Sequence, residues 1–402
     1  MIVGWQCAVC ATRLDIAEPY PFTCPRATPA DRRHVLHPHV VGEEPDPLDD
    51  PNPFVRYGPR LAWWAFARTR GMTEGACIAL TRDLADGFTV TPFARQPALS
   101  EATGGDVWVK DETGNVGGSH KGRHLVTVLL HLVAAEALRL APTQRHPLAI
   151  ASCGNAAIAA ATLAQRAAWP IDVFVPTWAS PAVLDHLALL GARVHTCERR
   201  PSDPPGDPAL LRFREAVAAG AVPFGVQGPE NALCLDGGRT IGWELADSGV
   251  ALDRVVVQVG GGALAACTGW GAGPSVRLDA VQTAGCAPFA RAFEQVAGLD
   301  DAAAAARWAE VMTPWPDPHS AADGILDDET YDWLGVRQVV ARSGGRALVV
   351  PESAVAAAHE LGVATGIPVS PTGTAGLAGL LTPAGAPAPG ETVAVLFSGV
   401  AR

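Results

Sequence analysis

Only two lysines occur in the chain, Lys110 and Lys121, against 28 arginines. A sequence that uses Arg wherever a fixed cation suffices keeps Lys where an amine must be able to lose its proton. Lys121 follows the Gly-rich loop Thr113-Gly114-Asn115-Val116-Gly117-Gly118-Ser119-His120 and precedes Leu125, Val128, Leu129, Leu132 and Val133 at helical spacing. On the first turn of that helix, the positive end of the dipole and partial burial lower the pKa of an ammonium. That is the setting of an amine that forms a Schiff base with a carbonyl. Lys110, beside Asp111 and Glu112, reads instead as a paired cation at a strand end.

Two further loops enter helices. Leu148 to Ala151 reads as a strand, and Ser152-Cys153-Gly154-Asn155 then leads into a helix from Ala156 to Arg166, so free backbone amides there suit a carboxylate. Val255 to Val259 is an apolar strand that runs through Gly260-Gly261-Gly262-Ala263 into an Ala-rich helix, a cradle for a phosphate. Gly260-x-Gly262-x-x-Ala265 also satisfies a dinucleotide fingerprint, with Asp279 near the ribose position. The phosphate reading is preferred. Asp279 lies inside the strand Leu278 to Gln282, and a nicotinamide would leave Lys121 and the Ser152 loop without work.

Nine cysteines, odd in number and scattered, read as small apolar core residues. The exception is Cys7-x-x-Cys10 followed by Cys24, half of a zinc ribbon plus one ligand. Ala27 stands where a fourth Cys belongs. His34 is a substitute ligand, but the reading taken is a degenerate, metal-free remnant, with no metal site in the chain.

The elements that carry these loops alternate. Strands at 107–112, 172–176, 192–197 and 393–397, with those above, alternate with Ala/Leu-rich helices such as 181–190, the pattern of an α/β fold with mainly parallel sheets and ligands at the strand C-termini. Residues 42 to 60, rich in Pro and Asp, read as a linker, and 200–208 and 383–390 as surface loops. The formal charge of −11 argues against nucleic acid or an anionic membrane surface as partner. A small neutral or zwitterionic ligand fits better. The best candidate for a membrane span, Leu125 to Leu140, contains His131, Glu136 and Arg139, and the opening Met1 to Trp5 lacks a basic signal region. A cytoplasmic protein is expected.

Taken together, these motifs resemble the fold-type II pyridoxal-phosphate enzymes, the group of tryptophan synthase β, cysteine synthase, threonine synthase and the serine/threonine dehydratases. Asn115 to Arg123 is similar to that family's Asn-Pro-Thr-Gly-Ser-Phe-Lys-Asp-Arg, with Lys121 at the Schiff-base position. Ala151 to Asn155 resembles its Ser-Ser-Gly-Asn loop, Gly260 to Ala263 its phosphate loop, and Pro371 to Gly376 and Val395 to Gly399 its last two signatures. Within the family, the Cys-x-x-Cys start and the runs Thr240 to Ala246 and Val281 to Phe293 look most like threonine synthase. His120 for Phe, Gly122 for Asp and Cys153 for a hydroxyl residue depart from the pattern.

The resemblance implies two open, mostly parallel sheets flanked by helices, with pyridoxal 5'-phosphate in a cleft between a large domain (55–146 and 225–402) and a small substrate domain (147–224), after an N-terminal extension (1–54). It implies Lys121 as catalytic residue. The cofactor would also meet His120, Asn155 at its 3-oxygen, Gly260, Gly261, Gly262 and Ala263 at its phosphate, and Ser398 at its ring nitrogen. An amino-acid substrate would meet Ser152, Cys153, Gly154 and Asn155. The implied activity is a threonine-synthase-like carbon–oxygen lyase in a homodimer. A serine/threonine dehydratase or β-replacing synthase, and a catalytically inactive binding relative, are the alternatives.

Overall fold

The computed structural model describes residues 1–142, 144–204 and 206–402. Among these, the strands in chain order are β1 (Ile2–Cys7), β2 (Arg13–Asp15), β3 (Leu36–Val40), β4 (Phe93–Arg95), β5 (Asp106–Asp111), β6 (Leu148–Ala151), β7 (Ile171–Pro176), β8 (Arg193–Cys197), β9 (Val222–Pro223), β10 (Arg254–Gln258), β11 (Arg277–Thr283), β12 (Ala347–Val350) and β13 (Thr392–Phe397). They form three sheets. The order β12-β11-β10-β13-β5-β4 is parallel except for β4, which runs antiparallel to β5. The order β8-β7-β6-β9 is wholly parallel, and β2-β1-β3 is a small antiparallel sheet at the N-terminus. The expected α/β architecture of mostly parallel sheets flanked by helices is the one observed.

The central strands are apolar on both faces because helices cover both. Val255 and Val257 of β10, with Ala394 and Leu396 of β13, pack in one core with the helices Ala263–Ala272 and Trp333–Ser343. Val256, Val393, Val395 and Phe397 point the other way, toward the helices Glu352–Ala364 and Pro371–Leu380. Each such Val contributes about 1.5–3 kcal/mol by burial. The Lys121–Ala137 helix is buried almost all round, wedged among the helices Ala62–Thr69, Asn155–Arg166 and Cys234–Gly237.

Chain order explains where a ligand must sit. The chain leaves the large sheet after β5, builds β6 to β9, returns as β10, β11 and β12, and then inserts β13 between β10 and β5. Loops leaving the C-terminal ends of β5, β10 and β13 therefore meet at a topological switch point, where α/β sheets open a crevice.

Three sequence expectations need adjustment. The stretch 42–60 is not linker throughout: Pro53–Arg56 is a helix capped by the Asn52 side chain, and Phe54, Val55 and Tyr57 are buried, with Phe54 edge-on to Phe88. The helix expected from Ala156 starts at Asn155. Of the expected loop 200–208, Pro205 lies outside the described residues, and Pro208 already begins a helix. No helix among the described residues is long and apolar enough to cross a membrane.

Candidate active site

Lys121 is the first residue of its helix and lies at the switch point. The preceding residue is pinned twice: the His120 amide and its Nδ1–H both donate to the Ser398 carbonyl at 3.0 Å. Because a carbonyl only accepts, Nδ1 carries the proton and Nε2 is left as an acceptor. That atom is buried without a partner among the described residues, as is Nε2 of His124, whose Nδ1 donates to the Cys234 carbonyl at 2.8 Å. Burial, and then the neighbouring Lys121 cation, push His124 down to about 4 and His120 well below the usual histidine range. Lys121 itself is lowered by burial, opposed by the carboxylates of Asp327 and Asp332.

The loop before Lys121 is held by a buried ion cluster. Arg123 forks onto Glu112, Nε to Oε2 at 2.8 Å and Nη2 to Oε1 at 2.9 Å, and its Nη1 donates to Glu244 at 2.5 Å. Lys110 donates to the same Glu244 at 2.5 Å and to the Thr91 carbonyl. Asn115 of the Gly-rich loop donates to Glu112 at 2.7 Å. All four charged side chains are essentially fully buried. Although burial pushes the Glu112 carboxyl up, the Arg123 and Lys110 cations outweigh it and hold it at about 2. Lys110 is thus a paired cation, as expected, but its partner is Glu244 and not its sequence neighbours.

The glycine loop follows β10. Gly262, with φ of +101°, adopts the left-handed conformation that favours glycine, immediately before the Ala263–Ala272 helix. A Cβ on Gly260 would come within 2.6 Å of Asp327 Oδ2 and 2.9 Å of Ile325 Cα, so the backbone is approached closely here. Burial raises the Asp327 carboxyl to about 6, against the pull of Lys121 and the Gly261 amide. Sequence reading missed Asp327 and Asp332, which no motif marks.

Ser398 directly follows β13 and accepts from Gln258 Nε2 at 2.7 Å, so its own O–H is free to donate. Ser119 and Gly399 form a bridge that joins this strand end to the Lys121 loop, and Asn155 Nδ2 lies where a Cβ on Gly399 would be only 2.8 Å away. Asn155 Oδ1 accepts from Arg402 Nε at 2.8 Å. The fold therefore gathers Lys121, His120, Ser398, Asn155 and the Gly260 to Ala263 loop. Ser152, Cys153 and Gly154 continue the rim from Asn155 along the end of β6. Cys153 is half-buried, and its thiol is raised by burial and by the carboxylates of Asp207 and Asp323.

Asp279 is not part of this site. It is fully buried and paired with Arg254 at 3.0 Å and Arg346 at 2.8 Å. In the parallel register it stands opposite Val256, four residues before Gly260 and so about 13 Å down the sheet. The nicotinamide alternative loses its ribose ligand.

The sequence profile described as "Pyridoxal-phosphate dependent enzyme" matches residues 84–399, most of the chain and every element of the site. The chain belongs to this family. It is a pyridoxal-phosphate-dependent enzyme of the fold-type II superfamily, and its cofactor is pyridoxal 5'-phosphate. An L-threonine ammonia-lyase of Thermotoga maritima is 31% identical over 175 residues, which is 43% of this chain but only 40% of that protein. A maize serine racemase structure superposes with a TM-score of 0.66 at 19% identity, over 81% of this chain and 92% of that one. The processed form of threonine deaminase isoform 2 from Solanum lycopersicum gives 0.65 at 17%, over 91% and 96%. These likenesses are not specific to threonine synthase.

The residues present fit the cofactor. The cradle at Gly260 to Gly262 has no room for side chains, and buried imidazole nitrogens without partners adjoin Lys121.

Proposed function

We propose that this enzyme is an ammonia-lyase that dehydrates a small, uncharged hydroxy amino acid, releasing a 2-oxo acid and ammonia. The observation that carries the choice is the charge at the substrate loop. Asp207 and Asp323 lie close enough to raise the Cys153 thiol at the substrate loop. A side chain bearing a phosphate would meet repulsion there, whereas a hydroxyl would not. The partial match to a threonine ammonia-lyase agrees with this reading.

In the proposed arrangement, Lys121 holds the cofactor, the Gly260 to Ala263 amides its phosphate, Asn155 its 3-oxygen and Ser398 its ring nitrogen, with His120 beside the ring. Once bound, pyridoxal phosphate supplies an electron sink for the charge left at Cα. The chain's own work is positioning and proton transfer. Ser398 offers a neutral O–H to the ring nitrogen, which leaves that nitrogen unprotonated and favours elimination over transamination. Ser152, the Cys153 thiol and the amides of Gly154 and Asn155 orient the substrate carboxylate at a helix start. Lys121, lowered by burial, has a larger share of free amine than an exposed lysine and takes the α-proton. Loss of that proton and of the β-hydroxyl makes water, and hydrolysis of the released product gives the 2-oxo acid and ammonia.

The proposal keeps the division into a body of residues 55–146 and 225–402 and a substrate domain of 147–224, in a cytoplasmic homodimer. A threonine-synthase-like reaction on a phosphorylated amino acid is the second reading, favoured by the runs Thr240 to Ala246 and Val281 to Phe293. Assaying the holoenzyme for 2-oxo acid and ammonia from L-serine and L-threonine, and for inorganic phosphate from O-phosphorylated amino acids, separates the two. Phosphate release without any 2-oxo acid would overturn the proposal.

A further inference from the structure

The N-terminal sheet brings together four side chains that the reaction does not use. Cys7 ends β1, Cys10 lies in the turn after it, and Cys24 and His34 lie in the loop between β2 and β3, His34 two residues before β3 begins. Their ligand atoms all lie within 4.8 Å of one another. Cys7 Sγ is 3.4 Å from His34 Nδ1, and Cys10 Sγ is 3.6 Å from Cys24 Sγ. A tetrahedral zinc with bonds of about 2.3 Å to sulfur and 2.05 Å to nitrogen needs edges of about 3.6 Å for S···N and about 3.8 Å for S···S. The two close pairs match those edges.

The backbone around the sulfurs is built for thiolates. The Val9 amide donates to Cys7 Sγ and the Arg26 amide to Cys24 Sγ, each at 3.4 Å and each from two residues further on. Such bonds orient a ligating sulfur and stabilise its negative charge. After Cys10 the chain turns through Ala11 at φ of +56°, a left-handed conformation that the loop keeps although the residue is not glycine. Ala27 occupies the turn position that a fourth Cys would fill. Instead, the Ala8 amide donates to the Val35 carbonyl at 2.9 Å, which draws His34 to the open corner. Cys7, Cys24 and His34 are buried and Cys10 is exposed.

We propose that Cys7, Cys10, Cys24 and His34 form a structural Cys3His zinc site. Three thiolates and an imidazole in tetrahedral array select zinc over the oxygen-seeking cations and leave no open position for catalysis. The site ties down the chain between β2 and β3, whose far side is fastened to the body of the enzyme. The Ala232 amide donates to the Phe22 carbonyl at 2.8 Å, and Arg32 pairs with Glu230. The neighbouring Gly228 amide donates to Asp332, beside the glycine loop. Loss of the metal is thus expected to loosen one wall of the active site without removing a group that touches the substrate.

The test uses the full chain, purified under reducing conditions and dialysed against zinc chloride and then against metal-free buffer. Elemental analysis is expected to find one equivalent of zinc per chain. The cobalt-exchanged protein is expected to show thiolate charge-transfer and intense visible bands of a tetrahedral ion. Cys10, though exposed, should resist alkylation until a chelator is added. Cys10→Ser should lose most of the metal, and His34→Cys should keep it. Zinc below a tenth of an equivalent in the wild type, an octahedral cobalt spectrum, or full zinc retention by Cys10→Ser would each overturn the proposal. The wild-type metal and cobalt readings decide the matter even if a variant fails to fold.

Discussion

Replacing Arg123 by Met tests whether the buried ion cluster holds the Lys121 loop. Lys110 and Arg123 balance Glu112 and Glu244, so the cluster is neutral. Arg123→Met leaves two carboxylates against one ammonium, a net buried charge of −1. Removing one partner from such a set costs about 3–5 kcal/mol. Glu112 gives a consistent figure. Its folded pKa of about 2, against an ordinary 4.5, corresponds to about 3 kcal/mol at neutral pH. Because the folded value is the depressed one, this stabilisation is fully present above pH 4.5 and is lost as the pH falls toward 2. The assay is guanidinium unfolding followed by circular dichroism at pH 7.5, alongside cofactor titration. Arg123→Met is expected to lose that amount of stability and to bind cofactor more weakly, since Asn115 loses its fixed acceptor. Adding Glu112→Gln leaves Lys110 facing Glu244, neutral again, and should restore part of the loss. A double variant no more stable than Arg123→Met would refute the charge-balance reasoning.

Asp327→Asn should tighten cofactor binding, and the advantage over the wild type should grow as the pH rises through about 6, where the native carboxyl ionises against the phosphate loop; an affinity ratio constant from pH 5 to 8 would count against this. Gly261→Asp should weaken cofactor binding by bulk and by like charge, and unchanged affinity would show that this loop is not the phosphate cradle. Asp207→Asn, which can still cap the Pro208–Ala218 helix, should raise the affinity for amino acids with anionic side chains relative to neutral ones, as measured by absorbance titration of the holoenzyme. Cys153→Ser, which substitutes a stronger donor, should retain the cofactor and change the order of amino-acid affinities, whereas an unchanged order would make Cys153 a packing residue.

Much of the site could be read locally because it is written locally. The rarity of Lys, the glycines around it and the helical spacing after it lie within one short stretch, and Val255 to Val259 running into three glycines marks a buried parallel strand without any partner being known. What could not be read depends on pairing across the chain. Glu244 meets Arg123 and Lys110 across more than a hundred residues, so nothing near Lys110 announces that its partner is distant. Asp327 and Asp332 sit in an irregular segment with no motif, and only the close packing of that segment on Gly260 to Gly262 brings them to Lys121. At the N-terminus the spacing breaks off at Ala27, and although His34 can be named from the sequence as a substitute ligand, only the pairing of β1 with β3 brings it beside Cys7. The Pro/Asp stretch misled for a different reason: Asn52 and Pro53 are helix-start residues, and composition alone does not separate a cap from a linker.

The central claim is that Lys121 carries pyridoxal phosphate. With only two lysines in the chain, borohydride reduction of the holoenzyme followed by peptide mapping gives a direct answer. The account predicts the pyridoxyl mass on the peptide containing His120 and Lys121, and its disappearance in Lys121→Ala. A label on Lys110, which is sealed against Glu244, or no label after incubation with excess cofactor, would contradict it.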